Sequence, residues 1–239
     1  MNATAKTHGS RLPFVFINMA MTADGKIATA NRAVSSFGSA HDHAHLLKLR
    51  ATADAVMAGA RTVDSAAIDL GPGPVRFRRA RLKSGLAEYN LRVIASGSGS
   101  VDANAEVFQH HFSPVIILTT GRASRAKLRQ LRAVADDVKV FGRREINFHQ
   151  AFGWLRQKWG VQRLLCEGGG ELNDALFRAG LVDELHLTIC PKIFGGRDAP
   201  TFAGGRGFRR LKQALPLQIK SFKIIGDEVF AVFGRLAQR

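Results

Sequence analysis

The stretch Cys166-Glu167-Gly168-Gly169-Gly170-Glu171-Leu172-Asn173 constrains this chain more than any other. It follows an apolar run at Arg163 to Cys166 and precedes a segment, Leu172 to Ala179, whose apolar residues have helical spacing. Three glycines at a strand-to-helix junction let backbone N–H groups approach a ligand closely, and the start of a helix favours an anion. The expectation is a phosphate cradle. A tight turn is the plainer alternative, because neither the G-x-G-x-x-G fingerprint nor a P-loop is present. Glu171 suits an anion site only if it points away or caps the helix. Glu167, at the carboxyl end of the strand, stands on the edge where open α/β sheets place ligands and is positioned to hold the N–H groups of a polar heterocycle.

Around this stretch, strand-length apolar runs alternate with amphipathic segments, which predicts an α/β domain with a mostly parallel, mixed sheet flanked by helices. Strands are expected at Phe14 to Met19, Ala55 to Ala58, Leu91 to Ala95, Val115 to Thr119, Val138 to Val140, Arg163 to Cys166 and Leu185 to Cys190. Two more, Leu217 to Ile224 and Val229 to Phe233, flank Gly226-Asp227 and predict a C-terminal antiparallel hairpin. Helices are expected at Ala40 to Arg50, Ser124 to Val134, Phe148 to Trp159 and Leu172 to Ala179, with Ser124 as a cap and Gly180 as a stop. Gly71 to Asn90, with Gly-Pro-Gly-Pro and little periodicity, reads as a long loop. The 239 residues suffice for one sizeable core, so one domain over 1–239 is expected, with 1–12 a flexible tail.

The formal charge of +16, from 35 basic and 19 acidic residues, attracts polyanions and phosphorylated small molecules alike. The basic residues cluster between Arg76 and Arg92, Arg122 and Arg144, and Arg197 and Lys223, and read mostly as solvated surface. No nucleic-acid module accompanies them, which argues against that partner. No run of about 18 apolar residues and no signal-peptide core is present, so no membrane segment is expected and the location is read as cytoplasmic. Cys166 and Cys190 sit in apolar runs and read as core thiols. His41 and His45 lie one helical turn apart without a third ligand at helpful spacing, so no metal is expected.

Three other strand ends carry groups with chemistry. Asn18 to Ala28 runs from a buried strand into a turn built on Asp24 and Gly25, leaving Lys26 at the strand mouth to bind a phosphate or polarise a carbonyl. Ala58-Gly59-Ala60-Arg61-Thr62 offers a guanidinium and a hydroxyl. Thr119-Thr120-Gly121-Arg122 precedes the helix capped by Ser124, and Arg122 or Arg125 is suited to the 2′-phosphate that distinguishes NADPH from NADH.

In this order and spacing, the four elements resemble the pyrimidine reductases of riboflavin biosynthesis, whose fold is similar to dihydrofolate reductase. The resemblance runs from about Phe14 to Phe233. Its most specific parts are Glu167-Gly168-Gly169-Gly170, Leu181-Val182-Asp183-Glu184, Pro191-Lys192-Ile193-Phe194-Gly195-Gly196, Ala199-Pro200-Thr201 and the turn Asp24-Gly25-Lys26-Ile27-Ala28. It implies NADPH as cofactor and a ribosylaminopyrimidine 5′-phosphate, deaminated or not, reduced at C1′ to the ribitylamino product. It further implies cofactor contacts from Thr62, Ala95, Ser96, Gly97, Ser98, Thr119, Arg122, Gly168, Gly169, Gly170, Glu171 and Leu172. Substrate contacts are implied for Asn18, Asp24, Ser35, Arg50 and Leu70, with Lys26 and Glu167 as the catalytic pair. A homodimer is also implied, with Leu185 to Cys190 near its interface.

The chain departs from the pattern after Thr62. The family shows Asp-Asp-Pro-x-Leu-Thr there, and this chain has Ala66-Ala67-Ile68-Asp69-Leu70-Gly71. Asp64 or Asp69 is a candidate substitute for the missing acid, and Arg76 for a displaced phosphate contact. The deaminase motifs H-x-E and P-C-x-x-C are not found in the chain, which points to a stand-alone reductase. Two alternatives follow: a same-fold reductase acting on a pterin or dihydrofolate, and a non-catalytic basic nucleic-acid-binding protein.

Overall fold

The computed structural model describes residues 11–32, 37–65 and 67–236. Most of the expected N-terminal tail and Ser35 lie outside these residues. Nine strands form one sheet, in the order β5-β4-β3-β2-β6-β1-β7-β9-β8. Seven run parallel: β1 (Phe14–Thr22), β2 (Ala55–Gly59), β3 (Leu91–Ser96), β4 (Val115–Thr119), β5 (Asp137–Val140), β6 (Arg163–Cys166) and β7 (Glu184–Cys190). β9 (Glu228–Arg235) pairs antiparallel with β7 and with β8 (Leu217–Ile225), closing the expected hairpin at Gly226, whose φ is +60°. Parallel strands need crossovers, and helices supply them on both faces of the sheet, so central strands such as Ala-Val-Met-Ala in β2 are buried on both sides.

One face carries Val15, Ile17, Met57, Ile116, Leu164, Leu185 and Leu187 under α6 (Phe148–Trp159) and α7 (Gly170–Arg178). The other carries Phe16, Val56, Ala58, Ile94, Ile117 and Leu165. Each fully buried large side chain there stabilises the fold by about 1.5–3 kcal/mol. The helix boundaries follow local chemistry. Ser124 accepts from Lys127 N at the start of α5 (Arg125–Val134). Asn147 accepts from Gln150 N at the start of α6, which ends at left-handed Gly160. Gly180, at φ +65°, follows the end of α7.

The stretch Gly71 to Asn90 is not the long loop that its composition suggests. It contains α3 (Val75–Lys83), started by Pro74. The residues it turns inward are Phe77 and Arg81, four apart, and a buried arginine leaves no apolar periodicity to read. Arg81 is 1% exposed and donates to the carbonyls of Arg50, Ala53 and Ala87, the first of which closes α1 (Ala40–Arg50). Arg92 is equally buried. It donates to Val107 O and Ser113 O and lies 4.4 Å from the centre of the Phe112 ring. Two members of the first basic cluster therefore hold the interior together rather than facing solvent, which reduces the charge available to a polyanion. Two short helices were also not signalled by periodicity, α2 (Ala60–Ser65) and α4 (Glu106–Gln109).

Candidate active site

The glycine run lies where its position after a buried strand predicted, and Gly168 and Gly170 are required for different reasons. Gly168 has φ +76°, and a Cβ there would lie 2.5 Å from Met19 Sδ. Gly169 is the cap of α7 with no side-chain hydrogen bond at the helix start, and its N–H donates to Thr62 Oγ1 at 3.3 Å. At Gly170 a Cβ would stand 2.2 Å from Thr201 O. The helix start thus has no side-chain cap, and the Gly169 N–H is met by the Thr62 hydroxyl. Glu171 points to Arg61, with which it forms an exposed ion pair, so its charge is compensated.

On the α1 side of the sheet, Glu167 and Arg50 meet. Arg50 Nε and Nη2 donate to the two Glu167 oxygens at 2.6 Å each, and Nη1 donates to Gly71 O at 2.7 Å. Asp69 stands 3.7 Å from the same guanidinium, whereas Asp64 accepts from Asp102 N and is turned to another segment. Arg50 is 7% exposed. Burial alone lowers a guanidinium pKa, but the Glu167 carboxylate reverses the direction and raises it. Leu70, between Asp69 and Gly71, is fully buried in the core at φ +58°. That backbone conformation costs on the order of 1–3 kcal/mol, and Asn90 Nδ2 donating to Leu70 O and Asp69 accepting from Gly71 N hold it. The departure from the family pattern is therefore a strained turn braced against Arg50.

Asp24 accepts from Thr22 Oγ1, Gly195 N and Phe194 N; the Thr22 hydroxyl leads the effects that keep its carboxyl below the usual range. Its carboxylate fastens the turn to the Pro191–Gly196 segment. Lys26 pairs as an isolated bridge with Thr201, and its Nζ donates to Ala199 O at 3.3 Å. The Thr201 segment also faces Gly170, so one stretch of chain links Lys26 to the glycine cradle. Asn18 is buried on β1. Since Ile17 pairs with Cys166, Asn18 lies next to Glu167.

Further along the strand ends, Ser96 and Thr119 are register partners on β3 and β4, and the buried Thr119 Oγ1 has no hydrogen-bond partner among the described residues. Gly97 O accepts from Thr120 Oγ1 at 2.5 Å, and Ala95 and Ser98 flank the same edge. Arg122 opens onto a cleft of about 340 Å³ that it shares with Arg144, Glu145 and Arg206. Arg206 pairs with Glu145, and its backbone N–H is fixed by Asp174 of α7, so the cleft bridges the end of β4 and the helix after the glycine run. Arg144 and Arg206 carry no sequence signal beyond charge; only the fold brings them to Arg122. Arg76 stands on α3 over the Phe77 ring. Leu172 is buried in the core behind the cradle.

Cys166 and Cys190 are buried free thiols, each pushed up to about 12 by burial, as core thiols should be. Among the described residues no group of three or more His, Cys, Asp or Glu is arranged to hold a metal ion. His45, a half-buried residue of α1, has its pKa lowered to about 4 by burial and by the neighbouring His186, so it is neutral at pH 7.

The mostly parallel nine-strand sheet with its antiparallel C-terminal hairpin is the fold of the RibD reductases. Residues 13–231 match the profile of the RibD C-terminal domain. The chain belongs to that family, the reductases of riboflavin biosynthesis. It is 33% identical over 223 residues to a 2,5-diamino-6-ribosylamino-4(3H)-pyrimidinone 5′-phosphate reductase of Archaeoglobus fulgidus, covering 93% of this chain and 98% of that protein. It is 32% identical over 221 residues to the protein of the same name from Methanothermobacter thermautotrophicus, covering 92% of this chain and 97% of the relative. Among solved structures, a pyrimidine reductase-like protein of Corynebacterium diphtheriae superposes with a TM-score of 0.76 at 22% identity, over 95% of this chain and 93% of that one. RibD of Acinetobacter baumannii superposes at 0.73 and 18% identity, over 95% of this chain, which spans 59% of that protein. These two likenesses establish the fold.

Proposed function

We propose that this chain works as one NADPH-dependent reductase domain that reduces C1′ of 2,5-diamino-6-ribosylaminopyrimidinone 5′-phosphate to the ribitylamino product. The observation that carries the reading is the glycine cradle at an uncapped helix start, one residue from the buried Glu167–Arg50 pair. The names of the archaeal relatives support the undeaminated ring. When bound, reduced nicotinamide supplies the hydride. As the C1′–H bond forms, the C1′–O4′ bond breaks and O4′ takes a proton. The task of the protein is mainly alignment. In this reading, Gly168 to Gly170 and Thr62 hold the pyrophosphate. Ser96 to Ser98 and Thr119 flank the adenosine, and Arg122, joined by Arg144 and Arg206, takes the 2′-phosphate. Arg50, fixed by Glu167, faces the substrate, and Lys26, tethered by Ala199 O, delivers the proton directly or through ordered water.

Mixing the protein with NADPH or NADH and each ribosylaminopyrimidine phosphate, while following absorbance loss and product identity, tests the reading. Turnover is expected with NADPH and the diamino ring; failure with both rings sinks it. Lys26→Ala should lower kcat by about 10²-fold or more, the range typical of a positioned proton donor. If both NADPH turnover and substrate affinity match the parent, the role assigned to Lys26 is wrong.

The same reading includes a homodimer in the cytoplasm. No helix among the described residues is long and apolar enough to cross a membrane. β7 is interior, with Leu185 and Leu187 spent in the core. A row of exposed apolar side chains stands on edge strand β8: Ile219, Phe222 and Ile224 are 63%, 59% and 67% exposed. They are paired with Phe233, Ala231 and Val229, and so prolong the apolar face of the sheet beyond its helix cover. A second copy over β8 would bury them. Phe222→Lys should then halve the mass measured by light scattering, and a parent that is already monomeric at assay concentrations overturns this part.

A further inference from the structure

The chain from Thr201 to Gly207 is laid along α7, and successive residues of that helix hold it. Thr201 O lies against Gly170, where a Cβ would come within 2.2 Å of it. The fully buried Asn173 donates from Nδ2 to Phe202 O at 2.8 Å, and the Phe202 ring meets Phe177 edge-on. Asp174 holds the next part. Its carboxylate accepts from Arg206 N at 3.0 Å, Gly207 N at 3.1 Å and Arg178 Nε at 2.9 Å, and the residue is 4% exposed. At Gly205 a Cβ would stand 2.1 Å from Asp174 Oδ2, so a glycine is needed for the backbone to come this close.

A carboxylate is costly to bury, and here three N–H donors offset that cost. Two of the three belong to the main chain of the segment, so what Asp174 fixes is the point at which Arg206 leaves the backbone. The Arg206 side chain is 74% exposed and pairs with Glu145, which is 54% exposed, in the cleft that Arg122 and Arg144 also line. Three guanidiniums against one carboxylate give the cleft an excess of positive charge, which suits a phosphomonoester. An ion pair as exposed as Arg206–Glu145 contributes little to stability, so a phosphate dianion can replace the carboxylate as the partner of Arg206.

We propose that Asp174 is a positioning residue for cofactor selection: by pinning the backbone at Arg206 and Gly207 it holds the Arg206 guanidinium at the cleft, ready for the 2′-phosphate of NADPH. This rests on the reductase reading above. Asp174 itself touches no ligand. It lowers the conformational freedom that Arg206 gives up on binding, which is how a supporting residue adds affinity without a contact of its own. Because α7 also starts at the glycine cradle, one helix fixes the Arg206 cleft relative to the place proposed for the pyrophosphate. NADH carries no group for the cleft, so the contribution of Asp174 falls on NADPH alone.

The test measures dissociation constants for NADPH, NADH, adenosine 2′,5′-bisphosphate and adenosine 5′-phosphate by titration, with melting temperatures, in the parent, Arg206→Ala, Asp174→Asn and the double variant. The parent should bind NADPH more tightly than NADH, and the bisphosphate more tightly than the monophosphate. Arg206→Ala should weaken NADPH and the bisphosphate about tenfold, the range for one charge-assisted hydrogen bond, and leave the other two ligands unchanged. Asp174→Asn should weaken the same two ligands by about two- to tenfold, the range for ordering one long side chain. The double variant should bind no more weakly than Arg206→Ala, because the anchor then has nothing to position. If Asp174→Asn does not fold, Gly205→Ala, which crowds the carboxylate from the other side, gives the same readout. Equal weakening of NADPH and NADH, or additive losses in the double variant, means that Asp174 only holds the segment to α7, and it overturns the proposal while leaving the reductase reading intact. A parent indifferent to the 2′-phosphate overturns it too. A parent that binds neither dinucleotide sinks the reductase reading and this inference with it.

Discussion

Replacing Glu167 by alanine is expected to lower the free energy of unfolding by about 3–5 kcal/mol and to abolish measurable reduction. The magnitude comes from what the substitution leaves behind. Arg50 is 7% exposed and directs two of its nitrogens at Glu167. Without the carboxylate, a buried guanidinium keeps only Gly71 O at 2.7 Å and Asp69 at 3.7 Å, and the latter is 41% exposed. Urea unfolding at constant slope measures the loss. A double variant, Arg50→Met with Glu167→Leu, should recover much of the stability, because removing both charges ends the desolvation cost, yet stay inactive. The cycle formed by the parent, Arg50→Met, Glu167→Leu and the double variant isolates the coupling. A loss below about 1 kcal/mol for Glu167→Ala would place the pair in the class of solvent-screened ion pairs and remove it from the centre of the site.

Gly170→Ala should weaken NADPH binding at least about tenfold, or about 1.4 kcal/mol, and destabilise the fold by about 1–3 kcal/mol. The added Cβ would lie 2.2 Å from Thr201 O and 3.0 Å from Gly204 N, both backbone atoms. Relief requires moving either the start of α7 or the chain at Thr201. The latter bridges to Lys26 and, through Ala199 O, holds its ammonium group. The disturbance therefore reaches the proposed proton donor as well as the cradle. Gly169→Ala provides the contrast, since its Cβ meets only the Thr62 hydroxyl, at 3.3 Å. Fluorescence titration with NADPH, together with thermal unfolding, separates the two effects. Parent-like affinity in a folded Gly170→Ala protein would show that the glycine run serves the turn and not a ligand.

Much of the architecture is legible in the chain because strand burial and helix amphipathicity are local patterns. The Gly226-Asp227 turn, the Ser124 cap and the Gly180 stop all sit where residue chemistry requires them. α3 was hidden because one of its two inward residues is Arg81, which reads as surface until the carbonyls of Arg50, Ala53 and Ala87 are seen around it. Glu171 is similar. Beside an expected anion it looks misplaced, and its partner Arg61 lies on a different crossover.

What the sequence determined by itself was the set of strand ends and the residue types on them: three glycines after β6, a lysine after β1, a threonine after β2. These depend on the order of neighbours along the chain. Only the tertiary structure decided which of them meet. Arg50 and Glu167 are 117 residues apart and become a bidentate pair because the last residue of α1 is brought to the carboxyl end of β6. Asn18 and His186 become neighbours because β1 and β7 pair in one particular register, and a shift of one residue would turn either side chain to the opposite face. The glycine cradle is local in origin. Its closure by Thr62 and Thr201 is not, because a contact between distant segments is fixed by strand order and register, which no short stretch of sequence contains.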